Sequence, residues 1–145
     1  MTWARLWASG FGTGYLPFAP ATWGTLPALG IAYLLSNTSV AIRWAWTLLT
    51  LGLYYLSIKR LAPLPSRDPH WVVSDEMQAV FLLSCLYPFS SLTETMAAFF
   101  LFRFWDIVKL WPADQAEYLS FPWGILVDDI VAALYTWACL WLIFS

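Results

Sequence analysis

Five carboxylates and two cations hold most of the chemistry this chain can do. Asp75 and Glu76 are adjacent, Asp128 and Asp129 are adjacent, and Asp106 lies between the two pairs in the stretch FFLFRFWDIVKLWP. The same stretch holds Arg103 and Lys109, so Arg103, Asp106 and Lys109 fall at i, i+3 and i+6 and share one flank of a helix. Acids in apolar helices must face a polar cavity, pair with cations or bind a metal, since each costs roughly 2.5–3.5 kcal/mol inside a membrane helix. An oxygen-only ligand set favours Mg²⁺, Mn²⁺ or Ca²⁺ over zinc. Arg103 offers a planar fork suited to phosphate and Lys109 a mobile point charge. A simpler account also exists. Acids in first turns are stabilised by the helix dipole, Arg103 can neutralise Asp106, and Lys109 can snorkel to an interface.

A third element is SGFGTGYLPFAPATWGT, Ser9–Thr25. Its glycines allow close backbone approach to a ligand, Thr13, Thr22 and Thr25 offer hydroxyls, and a helix follows. It lacks the Lys of a Walker loop and no strand precedes it, so it is not read as nucleotide-binding. Cys85 and Cys139 lie in apolar runs and His70 in a loop. With no Cys-x-x-Cys pair there is no zinc pattern.

The elements that position these groups follow from composition. The chain has 145 residues, 61% hydrophobic and only 11% charged, where a soluble domain is about a quarter charged. The expected fold class is all-α: an integral membrane helical bundle of about five apolar helices, forming one domain over residues 1–145. The segments are Thr25–Leu35, short or re-entrant with Pro27 in its first turn; Val40–Ile58; Ser74–Tyr87; Thr95–Leu110; and Ile125–Phe144. The second and last are long enough to span. Asp75, Glu76, Asp128 and Asp129 fall near the starts of their helices. Trp23, Trp44, Trp71, Trp111 and Trp123 sit near segment ends, as interfacial anchors do.

With a cytoplasmic N-terminus, Arg5, Lys59, Arg60, Arg67 and Lys109 lie on the cytoplasmic side and Arg43 on the other, obeying the positive-inside rule. The five acids gather toward the cytoplasmic ends of three helices, and Glu94 alone sits on the far side. The glycine breaks near the N-terminus do not suit a signal peptide. No basic run points to nucleic acid. The ensemble suits a phosphate-bearing ligand in a membrane-embedded, cytoplasm-facing pocket, where a divalent ion assists phosphomonoester hydrolysis.

Four motifs, in order along nearly the whole chain, resemble the phosphatidylglycerophosphatase A family: GTGYLPFAPATWGTL, VVSDEMQA, FRFWDIVKLWP and GILVDDIVAALY. The resemblance implies a small multi-helix bacterial inner-membrane enzyme that removes the terminal phosphate of phosphatidylglycerophosphate with Mg²⁺. Carried over, Asp75, Glu76, Asp106, Asp128 and Asp129 are the catalytic acids, with Asp75, Glu76, Asp128 and Asp129 on the metal. Arg103, Lys109, Thr13 and Thr22 bind substrate. Five places depart from the family pattern: Ala21, Ala79 and Ala133 stand for Gly, Leu110 for Pro, and LSFPWG (Leu119–Gly124) for a stretch richer in Gly and basic residues.

Two other readings accompany this one. The departures motivate a diverged, non-catalytic member that binds a lipid or joins a membrane-protein complex or homo-oligomer. A metal-transport subunit predicts acids spread through membrane depth, and here they cluster toward one side.

Overall fold

A computed structural model describes residues 2–66, 69–112, 114–115, 119–120 and 122–145. Arg67, counted above among the cytoplasmic cations, and Phe121 of LSFPWG lie outside the described residues. The described chain is helical without strands: α1 (Trp3–Ala8), a 3-10 turn (Thr13–Tyr15), α2 (Pro20–Ser36), α3 (Val40–Leu61), α4 (Ser74–Leu86), α5 (Leu92–Val108) and α6 (Trp123–Phe144).

Helix α4 is the hub. It packs against α6, α2, α3 and α1, and every residue in it except Leu82 and Leu86 is buried. Met77, Val80, Phe81 and Leu83 give it the apolar body of a core helix, and its polar residues Asp75, Glu76 and Gln78 are concentrated toward its start. Helix α5 then closes on α6 and α2. The outer faces of α3, α5 and α6 stay apolar and open, with Leu48 at 61%, Ile107 at 71% and Leu142 at 84% exposure.

The helices expected from the apolar runs are present, but not as five equal spans. Among the described residues only α6 is both long and apolar enough to cross a bilayer. Helix α4 has 13 residues, about 20 Å at the helical rise. Helix α3 has 22 residues, but it carries Arg43, Lys59 and Arg60 and buries the polar row Arg43, Thr47, Thr50, Tyr54 and Ser57. Thr47 and Thr50 donate to carbonyls of their own helix, at Arg43 and at Trp46, which satisfies hydroxyls inside the bundle.

Two helix starts differ from expectation. Helix α2 begins at Pro20, five residues before Thr25, so Pro27 lies inside the helix and not in its first turn. Pro20 has the preset φ of a first helical residue. Helix α6 begins at Trp123, which places Asp128 and Asp129 beyond the first turn. Its entry is held by the Tyr54 hydroxyl, which donates to the Pro122 carbonyl at 3.0 Å.

The short α1 is an element the apolar runs did not reveal. It lies against α3, and its Ala8 carbonyl accepts from the Val73 N–H at 2.8 Å. This N-terminal arm therefore braces the residues that lead into α4. The glycines behind it serve packing: a Cβ on Gly14 would lie 2.0 Å from the Trp71 carbonyl oxygen, and one on Gly24 would lie 2.6 Å from Val73.

Candidate active site

Three helices deliver one carboxylate each to a common point. Glu76 comes from the first turn of α4, Asp106 from the last turn of α5 and Asp129 from α6. One oxygen of each lies within 4.8 Å of the others. Glu76 and Asp129 are buried and Asp106 is half-buried. Asp75 lies beside them, with its carboxylate close to that of Asp129. Two carboxylates at that separation repel unless a proton or a cation lies between them.

Dipole stabilisation does not account for the group. It suits Asp75 and Glu76, which lie in the first turn of α4. Asp129 lies past the first turn of α6, and Asp106 sits near a helix C-terminus, where the dipole disfavours an anion. Glu94, the acid expected on the far side, does have a local role. It accepts from the Ser90 N–H at 2.7 Å, one residue before the N-cap, while Ser91 caps the Glu94 N–H, so the acid helps close the start of α5.

The two cations part company. Arg103 Nη1 lies 2.5 Å from Asp106 Oδ2 and 3.8 Å from Glu76 Oε1, so it contacts two of the three clustered acids. Lys109 is not on the α5 flank expected from the i, i+6 spacing. Helix α5 ends at Val108, and Lys109 is its C-cap in the left-handed region, φ 48°. Leu110, standing where the resembled family has Pro, does not prolong the helix. Lys109 leaves the helical region, and Pro112 biases Trp111 away from it as well. The turn carries the Lys109 ammonium to Asp128 Oδ2 at 3.1 Å.

Of the residues singled out in the sequence, Asp75, Glu76, Asp106, Asp129 and Arg103 meet, and Asp128 and Lys109 pair beside them. The metal set read from the resemblance contained Asp128 and omitted Asp106; the structure groups Asp106 with Glu76 and Asp129. Thr13 donates to the carbonyl of Gly10 at 2.9 Å within its own loop. Thr22 is half-buried in the first turn of α2. The residues that support the acids carry no mark in the sequence: Ala8 and Val73 brace the entry to α4, and Tyr54 the entry to α6. Their signal is tertiary, a carbonyl or hydroxyl meeting a partner far along the chain.

The donor set fits a hard divalent cation. Carboxylate oxygens from three helices converge, and the surplus of acids over nearby cations favours added positive charge.

The described chain is all-helical, and at one end of its bundle a carboxylate cluster able to hold a hard cation lies against a guanidinium able to bind an anion. Comparison with known proteins makes this specific: the chain belongs to the phosphatidylglycerophosphatase A family, matching it over residues 6–144. It is 40% identical over 135 residues to phosphatidylglycerophosphatase A of Haemophilus influenzae, covering 90% of this chain and 82% of that protein. The protein of the same name from Escherichia coli is 29% identical over 141 residues, covering 96% and 82%. A Bacteroides thetaiotaomicron protein provisionally named phosphatidylinositol-3-phosphatase is 34% identical over 137 residues, covering 88% and 85%. No solved structure matches the chain.

Proposed function

We propose that this chain is a Mg²⁺-dependent lipid phosphatase that hydrolyses the terminal phosphomonoester of phosphatidylglycerophosphate to phosphatidylglycerol. The observation that carries the reading is the convergence of Glu76, Asp106 and Asp129 with Arg103 set against two of them. Family membership and the names of the relatives supply the substrate class.

Glu76, Asp106 and Asp129, with Asp75 behind Asp129, would hold the cation. A divalent ion bound there supplies Lewis-acid stabilisation of charge on phosphoryl oxygens and lowers the pKa of water. The Arg103 guanidinium presents several N–H donors in one plane and can grip two phosphoryl oxygens as charge builds on them. Lys109 is 37% exposed at its side chain and offers a second positive charge at the rim. Asp75, beside Asp129, can accept the proton of the attacking water. Water oxygen bonds to phosphorus, the bond from phosphorus to the glycerol oxygen breaks, and that oxygen leaves with a proton.

The site belongs at the cytoplasmic face of a bacterial inner membrane. Arg5 sits 5.6 Å over the Trp71 ring and Lys59 5.6 Å over Tyr55, which stacks on Trp123. These cations flank the end of the bundle where α4 and α6 begin. The open apolar faces of α3, α5 and α6 suit lipid chains as their surroundings.

The test is phosphate release by the purified chain in detergent, with phosphatidylglycerophosphate supplied with Mg²⁺ or with chelator. Release that requires the divalent ion is expected. Equal release in chelator would remove the metal from the mechanism. Faster release from phosphatidylinositol 3-phosphate would reassign the headgroup.

A further inference from the structure

We propose that Arg103 is the internal counter-ion of the carboxylate cluster and that it competes with a divalent cation for Asp106. Cation binding then turns the guanidinium toward the substrate phosphate. The inference rests on the cation-site reading above and adds a coupling between the two ligands.

Four observations support it. Arg103 contacts two of the clustered acids, Asp106 and Glu76, and Lys109 is joined to Asp128. Asp106 belongs both to the Arg103 ion pair and to the candidate cation site, so one carboxylate serves two positive partners. Arg103 and Asp106 lie three residues apart on one helix, and such a pair can separate by rotamer change without backbone movement. Finally, the Arg103 side chain is 17% exposed, so its guanidinium has a way out of the cluster.

The direction of the exchange follows from charge. A cluster of carboxylates binds a compact double charge more strongly than a delocalised single one. Once the cation neutralises Asp106 and Glu76, the guanidinium loses its partners there. A phosphoryl group bearing negative oxygens is the natural replacement. By linkage, phosphate and cation then raise each other's affinity.

The experiment measures Mn²⁺ binding to the detergent-purified full chain by the EPR signal of free Mn²⁺, in the absence of lipid substrate. Removing a competitor predicts that Arg103→Gln binds Mn²⁺ about tenfold more tightly than the unaltered chain. Arg103→Lys should fall between them, because the ammonium keeps the charge without the fork. In chelator, Arg103→Gln should melt below the unaltered chain, and saturating Mn²⁺ should raise its Tm by more. Added inorganic phosphate should tighten Mn²⁺ binding more in the unaltered chain than in Arg103→Gln.

Unchanged or weaker Mn²⁺ binding by both variants overturns the competition and leaves the cation site standing. An equal phosphate effect in both proteins overturns the coupling. Failure of the unaltered chain to bind Mn²⁺ sinks the cation-site reading and this proposal with it.

Discussion

Two arginines sit at opposite ends of the bundle, and they are paired with opposite kinds of acceptor. Arg43, on the first turns of α3, is 8% exposed and its Nη1 donates to the carbonyls of Thr38 at 2.8 Å and Ser36 at 3.4 Å. Ser36 is the last residue of α2 and Thr38 lies just past its C-cap, so Arg43 places a positive charge at a helix C-terminus, where the dipole favours one. Arg103 meets carboxylates instead, and these come from a different helix as well as its own. A guanidinium bound to neutral carbonyls has a fixed structural partner. One bound within a surplus of acids has partners that a cation can take over. Burial alone would not separate the two; the chemistry of the acceptors does.

If that contrast is right, the largest effect belongs to the acid end. Asp129→Asn should lower turnover of phosphatidylglycerophosphate by on the order of 10²–10³-fold, the scale seen when one group that stabilises a developing charge is lost. The folded state should survive, because the change relieves repulsion from Asp75. Phosphate release and a melting curve on the same preparation check both halves. Full turnover by Asp129→Asn would remove it from the mechanism.

The opposite end should show the reverse pattern. Arg43→Met strands the carbonyls of Ser36 and Thr38 and should cost about 1–3 kcal/mol of stability. Turnover per folded molecule should stay near that of the unaltered chain. Thermal unfolding and phosphate release, normalised to folded protein, make the comparison. A large loss of turnover at unchanged stability would mean that Arg43 communicates with the site and that the contrast is false.

Much of the fold is legible in the apolar runs, because long runs of membrane-type composition have few alternatives to helix. Helix starts are less so. Helices α2 and α6 are preceded by Ala19 and Pro122, neither of which gives a side-chain cap, so no polar residue marks the true start. The missed start of α6 matters chemically, since it made dipole stabilisation seem available to Asp128 and Asp129. The glycine-rich arm illustrates a second limit. Glycine signals that something comes close without saying what, and at Gly14 the neighbour is the Trp71 backbone. The five acids were legible as a set from type and placement. Their division into a cluster and a Lys109–Asp128 pair was not, because it depends on where α5 stops.

At the rim, Lys109 should matter less than Arg103, because it contacts Asp128 outside the three-acid cluster. Lys109→Ala should weaken turnover by about tenfold, the factor set by roughly 1.4 kcal/mol of lost transition-state stabilisation. The effect should appear mainly in KM if Lys109 guides an anionic headgroup, and mainly in kcat if it touches the transferring phosphoryl. Steady-state kinetics over a range of lipid concentration separate the two.

The smallest effect isolates the backbone of the same residue. Lys109 holds a left-handed conformation at φ 48°, which costs an L-residue about 1–2 kcal/mol relative to glycine. Lys109→Gly and Lys109→Ala both remove the ammonium, so they share whatever the lost contact with Asp128 does. Their difference reports the left-handed strain less glycine's larger unfolded-state entropy, and Lys109→Gly should be the more stable by about 1 kcal/mol. Turnover should fall equally in both if the charge is what the substrate meets. Equal stability would mean that the chain does not use the left-handed turn, and Lys109 would then return to the α5 flank beside Arg103 and Asp106. Two cations would face the carboxylate cluster in that case, and Arg103 would no longer be distinguished from Lys109 as its counter-ion.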